Sequence, residues 1–242
     1  MKAEIGLVGY GRFGRLIARH LAKRSTVCVH DRRTNLRAES FVKVMSLEEV
    51  VQRQVIIFAV PIGELRSVLK RVRTKINPDA LVLDVCSVKV EPLRWMRAHL
   101  PPTVAIVGTH PLFGPSSAAQ SVRGKSIVVC SGRINPQKFA SLWALLRRSG
   151  LNVLTMTPQD HDRWMARTLF VTQFLGRGIR KVISGQNSPT SAFFHLHRLM
   201  EIATADSPQL LLDMYRYNRF AKKLPRLLNK EFSSILNFRR NR

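Results

Sequence analysis

The sequence predicts an α/β fold, with a parallel β-sheet domain over residues 1–156 and a small all-α domain over residues 157–242. Short β-branched, apolar runs alternate with helical patterns in the first part, which is typical of a sheet covered by helices. A glycine-rich turn follows the first of these runs, and only helical periodicity remains beyond residue 157. A length of 242 residues suits one standard domain and a smaller one.

The strands of the first part are predicted from continuous apolar runs. These are EIGLVG, TVCVHD, VIIFAV, ALVLDV, TVAIVG, SIVVCS and LNVLTM, with helical stretches such as RFGRLIARHLAKR, ELRSVLKRVRTK and PLRWMRAHL between them. Strands that are apolar on both faces and are separated by helices indicate a parallel sheet with both faces covered.

The helical part begins at the segment TPQDHDRWMARTLF. Thr157 is suited to cap a helix, Pro158 suits the first helical position, and Asp160 follows three residues after the cap. Further breaks are predicted at SGQNSPTS and at Pro208. Residues 216–242 carry nine Lys or Arg against one Glu, which predicts a basic amphipathic helix or, alternatively, a binding tail.

The charge is strongly basic, since 40 Lys and Arg stand against 15 Asp and Glu for a formal net charge of +25. Such a field attracts anionic substrates, cofactors and polyanions. A nucleic-acid-binding protein therefore remains an alternative, although no recognition helix or aromatic stacking pattern supports it and we do not expect nucleic acid as a partner. A solvated basic surface is the simpler interpretation. The 45% of hydrophobic residues indicates a folded core.

The three cysteines, Cys28, Cys86 and Cys130, lie within or beside apolar runs and lack metal-ligand spacing. We expect small buried thiols in a reducing compartment, and no metal site. No apolar run approaches the roughly 18 residues that span a bilayer, and the N-terminus leads directly into a predicted strand rather than a signal peptide. These features predict a cytoplasmic protein without a membrane segment.

The segment GYGRFG places Gly9, Gly11 and Gly14 between the first predicted strand and helix. In this context Gly9 permits a tight turn, Gly11 permits a pyrophosphate to approach the backbone, and Gly14 permits close packing of helix on strand. The helix N-terminus then faces the phosphates. This pattern predicts a Rossmann-type nucleotide-binding domain, with a purely structural glycine turn as the alternative.

Asp31 closes the second predicted strand, seventeen residues after Gly14, where a carboxylate would bind the ribose hydroxyls of NAD. Arg32 and Arg33 follow at once and could bind the 2′-phosphate of NADP, so both cofactors remain possible. The predicted cofactor-binding residues are Gly9, Tyr10, Gly11, Arg12, Phe13, Gly14, Asp31, Arg32, Arg33, Ala59, Pro61 and Lys89.

Candidate catalytic residues follow the later strands, where open α/β sheets bind ligands. LDVCSVK supplies Ser87, and VGTHPLFGP presents His110 in a loop after the strand TVAIV, directly before a turn that Pro111 and Pro115 bracket. Hydride transfer from an alcohol needs a group that accepts the hydroxyl proton, and an imidazole with a pKa near 6.5 suits that role. A neighbouring serine hydroxyl would orient the substrate oxygen or the imidazole. We therefore predict His110 as the base, with Ser87 beside it; a structural histidine is the alternative.

The segments GLVGYGRFG, AVPI, DVCSVK, THPLFGP and QDHDRWMARTLFVTQFLGR together resemble the prephenate and arogenate dehydrogenases of tyrosine biosynthesis (the TyrA family). The resemblance runs from about residue 3 to residue 218, and ATADSPQLLLDMYRYN is most similar to the plant-type arogenate enzymes. It implies NAD- or NADP-dependent oxidative decarboxylation of arogenate or prephenate, and a homodimer formed through the helical domain. It further implies that His110 accepts the hydroxyl proton and that Ser87 binds the same oxygen. Imine or β-hydroxyacid reductases share the framework but do not explain THPLFGP.

The sequence departs from this family at predicted substrate-binding positions. Gln173 stands twelve residues after His161, where the family often has a second histidine. Many bacterial members have an arginine at the position of Ile202, and Arg198, one turn earlier, could replace it. The substrate-binding prediction is completed by Ser116 and Asp206.

Asp206, His161 and Asp162 each have a structural as well as a functional interpretation. Asp206 could pair with the amino group of arogenate, or it could be a helix N-cap. His161 and Asp162 are expected to have a structural role, tying the first helix of the second domain to the nucleotide domain.

Overall fold

The computed structural model describes residues 3–33, 35–183 and 185–237. The chain divides into two compact units, one ending at His161 and the other beginning at Asp162. The first unit contains the β-sheet and the helices that cover it, and the second is helical. The α/β fold followed by a helical region is therefore confirmed.

The sheet of the first unit has, within the described residues, eight strands in the order β3-β2-β1-β4-β5-β6-β7-β8. Their bounds are β1 (Glu4–Val8), β2 (Thr26–His30), β3 (Val42–Val44), β4 (Val55–Phe58), β5 (Leu81–Asp84), β6 (Ala105–Pro111), β7 (Ser126–Ser131) and β8 (Asn152–Thr155). The order reverses between β1 and β4, which is the topological switch point where doubly wound sheets bind nucleotides.

The prediction of a parallel sheet needs one correction, because β7 pairs antiparallel with β6. The strands β1 to β6 run parallel to one another, and β8 runs parallel to β7. The connection from β6 to β7 contains only the short helix α5 (Pro115–Ala118). Without a long crossover helix, the chain does not travel back to the other end of the sheet. The next strand therefore starts at the end where β6 finishes and runs in the opposite direction.

The other helices of this unit are α1 (Arg12–Leu21), α2 (Leu47–Val50), α3 (Ile62–Val72), α4 (Val90–His99) and α6 (Pro136–Arg148). The helix α7 (Pro158–Met165) begins here. Its predicted cap is confirmed: the amide of Asp160 donates to Oγ1 of Thr157 at 3.1 Å, and the Thr157 hydroxyl donates to Oδ2 of Asp160 at 2.7 Å.

The core of the first unit lies against the central strands. Buried residues of six strands, among them Leu7, Val29, Ile57, Leu83 and Val107, form one apolar cluster. The thiols of Cys28, Cys86 and Cys130 are buried in the same unit, as predicted. Strands that are apolar on both faces thus place the polar chemistry of the unit at their ends.

The second unit consists of the rest of α7, a π-helical segment (Ala166–Phe170), α8 (Val171–Ile183), α9 (Ser191–Ala205), α10 (Pro208–Tyr217) and α11 (Leu224–Asn237). The helices α8 and α9 pack closely at Gly176. A Cβ at this position would lie 2.4 Å from that of Ala203, so only glycine permits this approach. The predicted break at Pro208 is confirmed, because Pro208 occupies the first position of α10. No helix of the described residues is long and apolar enough to cross a membrane.

Candidate active site

The glycine loop joins β1 to α1, and its three glycines differ in what surrounds them. Gly9 has a φ of +100°, and a Cβ there would lie 2.6 Å from the carbonyl oxygen of Ala59. A Cβ at Gly14 would lie 2.2 Å from the carbonyl oxygen of Gly9, whereas a Cβ at Gly11 would have no atom within 4 Å. Gly9 and Gly14 are therefore required by the fold itself, and Gly11 leaves open space in front of the helix N-terminus.

A cleft of about 330 Å³ lies at the carboxyl ends of β1, β2 and β4. Its lining includes the predicted cofactor-binding residues Gly9, Gly11, Asp31, Arg32, Arg33, Ala59 and Pro61. An open glycine backbone, a helix N-terminus and a carboxylate at the end of the second strand are the groups that a dinucleotide requires. The cleft therefore fits such a ligand.

Asp31 is held by the groups around it. Oδ2 accepts from the amide of Tyr10 at 2.8 Å, and Oδ1 accepts from Nε of Arg33 at 2.7 Å. Burial alone would raise the pKa of Asp31, but the hydrogen bonds from Arg33 and from the Tyr10 amide outweigh it and lower the pKa to about 2. Arg32 instead forms an exposed ion pair with Glu64 at 2.8 Å. Asp31 is thus ionised and already paired with a cation.

Tyr10 corrects one part of the prediction. Its side chain is buried in the core cluster, and its hydroxyl donates to Glu39, while the guanidinium of Arg15 lies 4.9 Å from the ring centroid. Burial and Glu39 together raise the pKa of Tyr10 to about 12. Only its backbone takes part in the loop.

Phe13 packs on Phe113 with ring centroids 6.3 Å apart, and Arg12 is exposed at the start of α1.

His110 lies within β6, not in a loop after it as predicted, and it is paired in register with Val128 of β7. Its side chain is buried, with an exposed fraction of 5%. Nδ1 of His110 lies 2.9 Å from Nε2 of His161, which is also buried. The prediction gave His161 only a structural role and missed this contact, which joins positions 51 residues apart.

Lys89 corrects a second part of the cofactor prediction. Both Lys89 and Asp84 are fully buried, and the ammonium donates to the Asp84 carboxylate and, at 2.6 Å, to the carbonyl of Thr109. Burial raises the pKa of Asp84, and the charge of Lys89 opposes this rise. Because its ammonium is engaged in the core, Lys89 is not placed to contact a cofactor in the cleft. It ties the segment after β5 to β6 beside His110.

Both histidines are neutral at pH 7. Burial lowers the pKa of His110 well below 6.5, and the neighbouring His161 and Lys89 lower it further. Burial followed by the charge of Lys89 lowers the pKa of His161 to about 3. A neutral imidazole is the form that accepts a proton.

The two predicted serines lie on separate segments of the first unit. Ser87 is half-buried between β5 and α4, and Ser116 is exposed in α5. The imidazole of His110 has His161 as its hydrogen-bond partner, rather than Ser87. Ser87 follows the end of β5, and β5 lies next to β6, the strand that contains His110.

The second unit brings two predicted substrate-binding residues together. Nε2 of Gln173 donates to Oδ2 of Asp206 at 2.9 Å, and Gln173 is buried. Sequence reasoning missed Arg177, whose Nε donates to Oε1 of Gln173 at 3.2 Å and whose Nη2 donates to the carbonyl of Asp206 at 2.6 Å. Because residues four apart on a helix are neighbours on its surface, the spacing of Arg177 from Gln173 could have indicated this contact. Arg198, the predicted arginine, is exposed on α9.

The alternative helix-cap role of Asp206 is wrong. Ser207 is the N-cap of α10, and its side chain accepts from the amide of Leu210. Asp206 instead ends α9, where its extended backbone leaves the carboxylate available to the Gln173 side chain.

The sheet order, the glycine loop and the cleft define a Rossmann-type nucleotide-binding domain. Residues 17–155 match the family model of the prephenate dehydrogenase nucleotide-binding domain. This match covers more than half of the chain, so the chain belongs to the prephenate dehydrogenase family.

Known relatives extend the similarity beyond that domain. The chain is 27% identical over 248 residues to arogenate dehydrogenase 1, chloroplastic, of Arabidopsis thaliana, covering 97% of this chain and 39% of that protein. It thus spans about two fifths of that relative.

Two solved structures show the same fold. A prephenate dehydrogenase from A. aeolicus, in complex with hydroxyphenyl propionate and NAD+, has a TM-score of 0.78 at 16% identity and covers 97% of this chain and 89% of the other. Synechocystis arogenate dehydrogenase has a TM-score of 0.72 at 20% identity and covers 98% of this chain and 92% of the other.

Proposed function

We propose that this protein is an oxidoreductase of tyrosine biosynthesis. It would catalyse the NAD(P)-dependent oxidative decarboxylation of arogenate to tyrosine, or of prephenate to 4-hydroxyphenylpyruvate. Family membership supports this reaction class, as do relatives and fold neighbours named arogenate and prephenate dehydrogenase.

The observation that carries the proposal is the buried, neutral imidazole of His110 in the same sheet as the glycine loop. Oxidation of a ring hydroxyl releases a proton as well as a hydride, and a neutral imidazole accepts the proton. Nδ1 of His110 is engaged with His161, which leaves Nε2 for the substrate hydroxyl. Ser87 would donate or accept a hydrogen bond at the same oxygen. Loss of the ring carboxylate as CO2 and aromatisation then drive the reaction.

The cleft beside the glycine loop would hold the cofactor, and a bound nicotinamide nucleotide supplies the hydride acceptor. Its pyrophosphate would approach Gly11 and the N-terminus of α1, where the helix dipole favours an anion. Asp31 would bind the ribose hydroxyls of NAD. Because Arg32 and Arg33 lie in the same cleft, the proposed cofactor is NAD or NADP.

The substrate preference would come from the cluster of Gln173, Arg177 and Asp206 in the second unit. Arogenate carries an ammonium where prephenate carries a ketone. A carboxylate at Asp206 pairs with an ammonium, whereas it is costly to bury against a ketone. The cluster therefore favours arogenate. Ser116 and Arg198 remain proposed substrate contacts.

The test is an assay of the purified full chain with arogenate and prephenate, each with NAD+ and NADP+, followed by nucleotide absorbance and product identification. We expect turnover of arogenate to tyrosine, and loss of turnover in His110→Asn. Absence of turnover with all four combinations, in a protein that binds the nucleotide, would contradict the proposal.

We further propose a homodimer formed through the helical unit. Its helices expose large apolar side chains, including Phe194 and Leu212, which are 63% and 58% exposed, and Ile235. Exposed apolar surface of this kind is typical of protein interfaces. A dimeric mass in light scattering that becomes monomeric in Phe194→Asp with Leu212→Asp supports the proposal, and a monomeric wild type contradicts it.

The proposed location is the cytoplasm, which the three buried thiols support because such cysteines suit a reducing compartment. Imaging of the tagged full-length protein in its own cell tests this location.

A further inference from the structure

His110 on β6 and His161 on α7 share one hydrogen bond between ring nitrogens. Nδ1 of His110 and Nε2 of His161 are 2.9 Å apart, and the rings meet edge to face with centroids 5.1 Å apart. A bond between two imidazole nitrogens contains one hydrogen, so one ring donates and the other accepts. The structure therefore allows two arrangements of the pair.

The two arrangements differ in what they leave at the other side of His110. If Nε2 of His161 donates, Nδ1 of His110 is the acceptor, the hydrogen of the neutral ring is on Nε2, and no nitrogen remains to accept a proton. If Nδ1 of His110 donates, Nε2 carries no hydrogen and is basic. Only the second arrangement is compatible with His110 as a base.

The charges around the pair keep both rings neutral. The ammonium of Lys89 lies against the carbonyl of Thr109, the residue before His110, and its ionic partner Asp84 lies on the neighbouring strand β5. On the other side, β7 contributes the apolar Val128. Burial and the charge of Lys89 lower the pKa of His161 to about 3, so His161 is neutral and one of its two ring nitrogens is an acceptor.

We propose that His161 is a positioning residue, whose Nε2 accepts the Nδ1 hydrogen of His110 and fixes His110 in the tautomer with a free Nε2. This inference rests on the proposed function of His110 as the proton acceptor. During the reaction the substrate O–H bond breaks and an N–H bond forms at Nε2 of His110, while the Nδ1 hydrogen stays on His110. The resulting imidazolium then donates a charge-assisted hydrogen bond to neutral His161.

The direct test is ¹⁵N NMR of the full chain labelled at histidine, at neutral pH and without substrate, with signals assigned by comparison with His110→Asn and His161→Gln. We expect His110 to be protonated at Nδ1 and bare at Nε2, and Nε2 of His161 to be bare. The opposite protonation at His110 overturns the inference. Because this measurement requires no turnover, it stands apart from any failure of the proposed reaction.

Kinetics provide the second test. Glutamine places an amide oxygen near the position of Nε2 and keeps an acceptor, whereas leucine removes it. We expect His161→Leu to lower kcat about 10–100-fold, less than the ~10⁴-fold loss known when a charged partner orients a catalytic histidine. KM should change little, and His161→Gln should recover most of kcat.

The matched control is His195→Leu, which removes an exposed histidine on α9 and should leave kcat unchanged. Equal kcat values in His161→Leu and His161→Gln would overturn the inference. If the leucine variant does not fold, shown by its melting temperature, the protonation state measured in the wild type decides.

Discussion

The cofactor cleft and the histidine pair are two polar regions of the first unit that are built in opposite ways. The cleft uses residues close together in the sequence, such as Gly9, Gly11 and Asp31, and it is open to solvent. The pair joins His110 and His161, 51 positions apart, in the buried interior. Local backbone geometry thus shapes the cleft at the glycine loop, whereas the contact between the two imidazoles forms only when distant segments of the chain meet.

The largest expected effect is that of His110→Asn on turnover. A general base in this class contributes about 10²–10⁴-fold, and asparagine keeps a polar side chain without the basicity. Cofactor affinity, measured by calorimetry, should change little because the cleft is a separate region. A variant with turnover within about threefold of the wild type would remove His110 from the reaction.

The next effect is on stability, since Lys89→Met leaves the buried Asp84 without its cation. Breaking a buried pair on one side costs about 3–5 kcal/mol. Urea unfolding should show this loss, and the double variant Lys89→Met with Asp84→Asn should recover part of it. Lys70→Met, at an exposed position of α3, is the matched control and should leave stability unchanged. A single variant as stable as the wild type would show that the pair is not required.

Substitutions of Gly14 and Gly11, two of the three loop glycines, should separate an effect on stability from an effect on nucleotide binding. Gly14→Ala forces a Cβ to within 2.2 Å of a carbonyl oxygen and should lower stability by about 1–3 kcal/mol or more. Gly11→Ala meets no atom, so stability should change by less than about 0.5 kcal/mol. Its affinity for the nucleotide should still fall, because the new methyl group lies where the pyrophosphate approaches. Unchanged affinity in Gly11→Ala would place the phosphates elsewhere.

A smaller effect is expected on cofactor preference. Asp31→Ser removes a carboxylate that repels a 2′-phosphate and releases Arg33 to bind it. The ratio of kcat/KM for NADP to that for NAD should rise about tenfold, as expected for one hydrogen bond to a charged group. A wild type that uses only NADP would show that the Asp31 carboxylate does not bind the ribose hydroxyls.

The smallest effect concerns stability and pH. Unfolded histidines bind protons near pH 6.5, whereas folded His161 does so only near a pKa of about 3 and the pKa of His110 is also well below 6.5. Unfolding therefore takes up protons between these values, and the free energy of unfolding falls as pH decreases from 6.5.

The variant His161→Gln should flatten this dependence by up to about 1.4 kcal/mol per pH unit, measured by urea unfolding between about pH 5 and 7. The lowered pKa of His99 contributes equally to both proteins, and Asp31 contributes only below its unfolded pKa of 3.8. An identical slope in the two proteins would mean that His161 is protonated in the fold.

Elements with strong local signals were predicted well. The cap at Thr157 and the break at Pro208 depend on neighbouring residues alone, and both are confirmed. Lys89 and Tyr10 were predicted as cofactor-binding because they adjoin the motifs, yet their side chains are buried with Asp84 and Glu39. The partner of a buried side chain depends on which segments become neighbours in the fold. A short stretch of sequence does not contain that information.

The sequence by itself determined the α/β pattern, the glycine turn with Asp31, and the presence of His110 just after an apolar run. These features depend on periodicity, backbone freedom and side-chain chemistry, which act over a few residues. The tertiary structure decided the antiparallel β7, the pairing of His110 with His161, and the placement of Arg177 against Gln173. Such contacts form only when the whole fold excludes water, because a buried polar group is destabilising unless it has a hydrogen-bond partner.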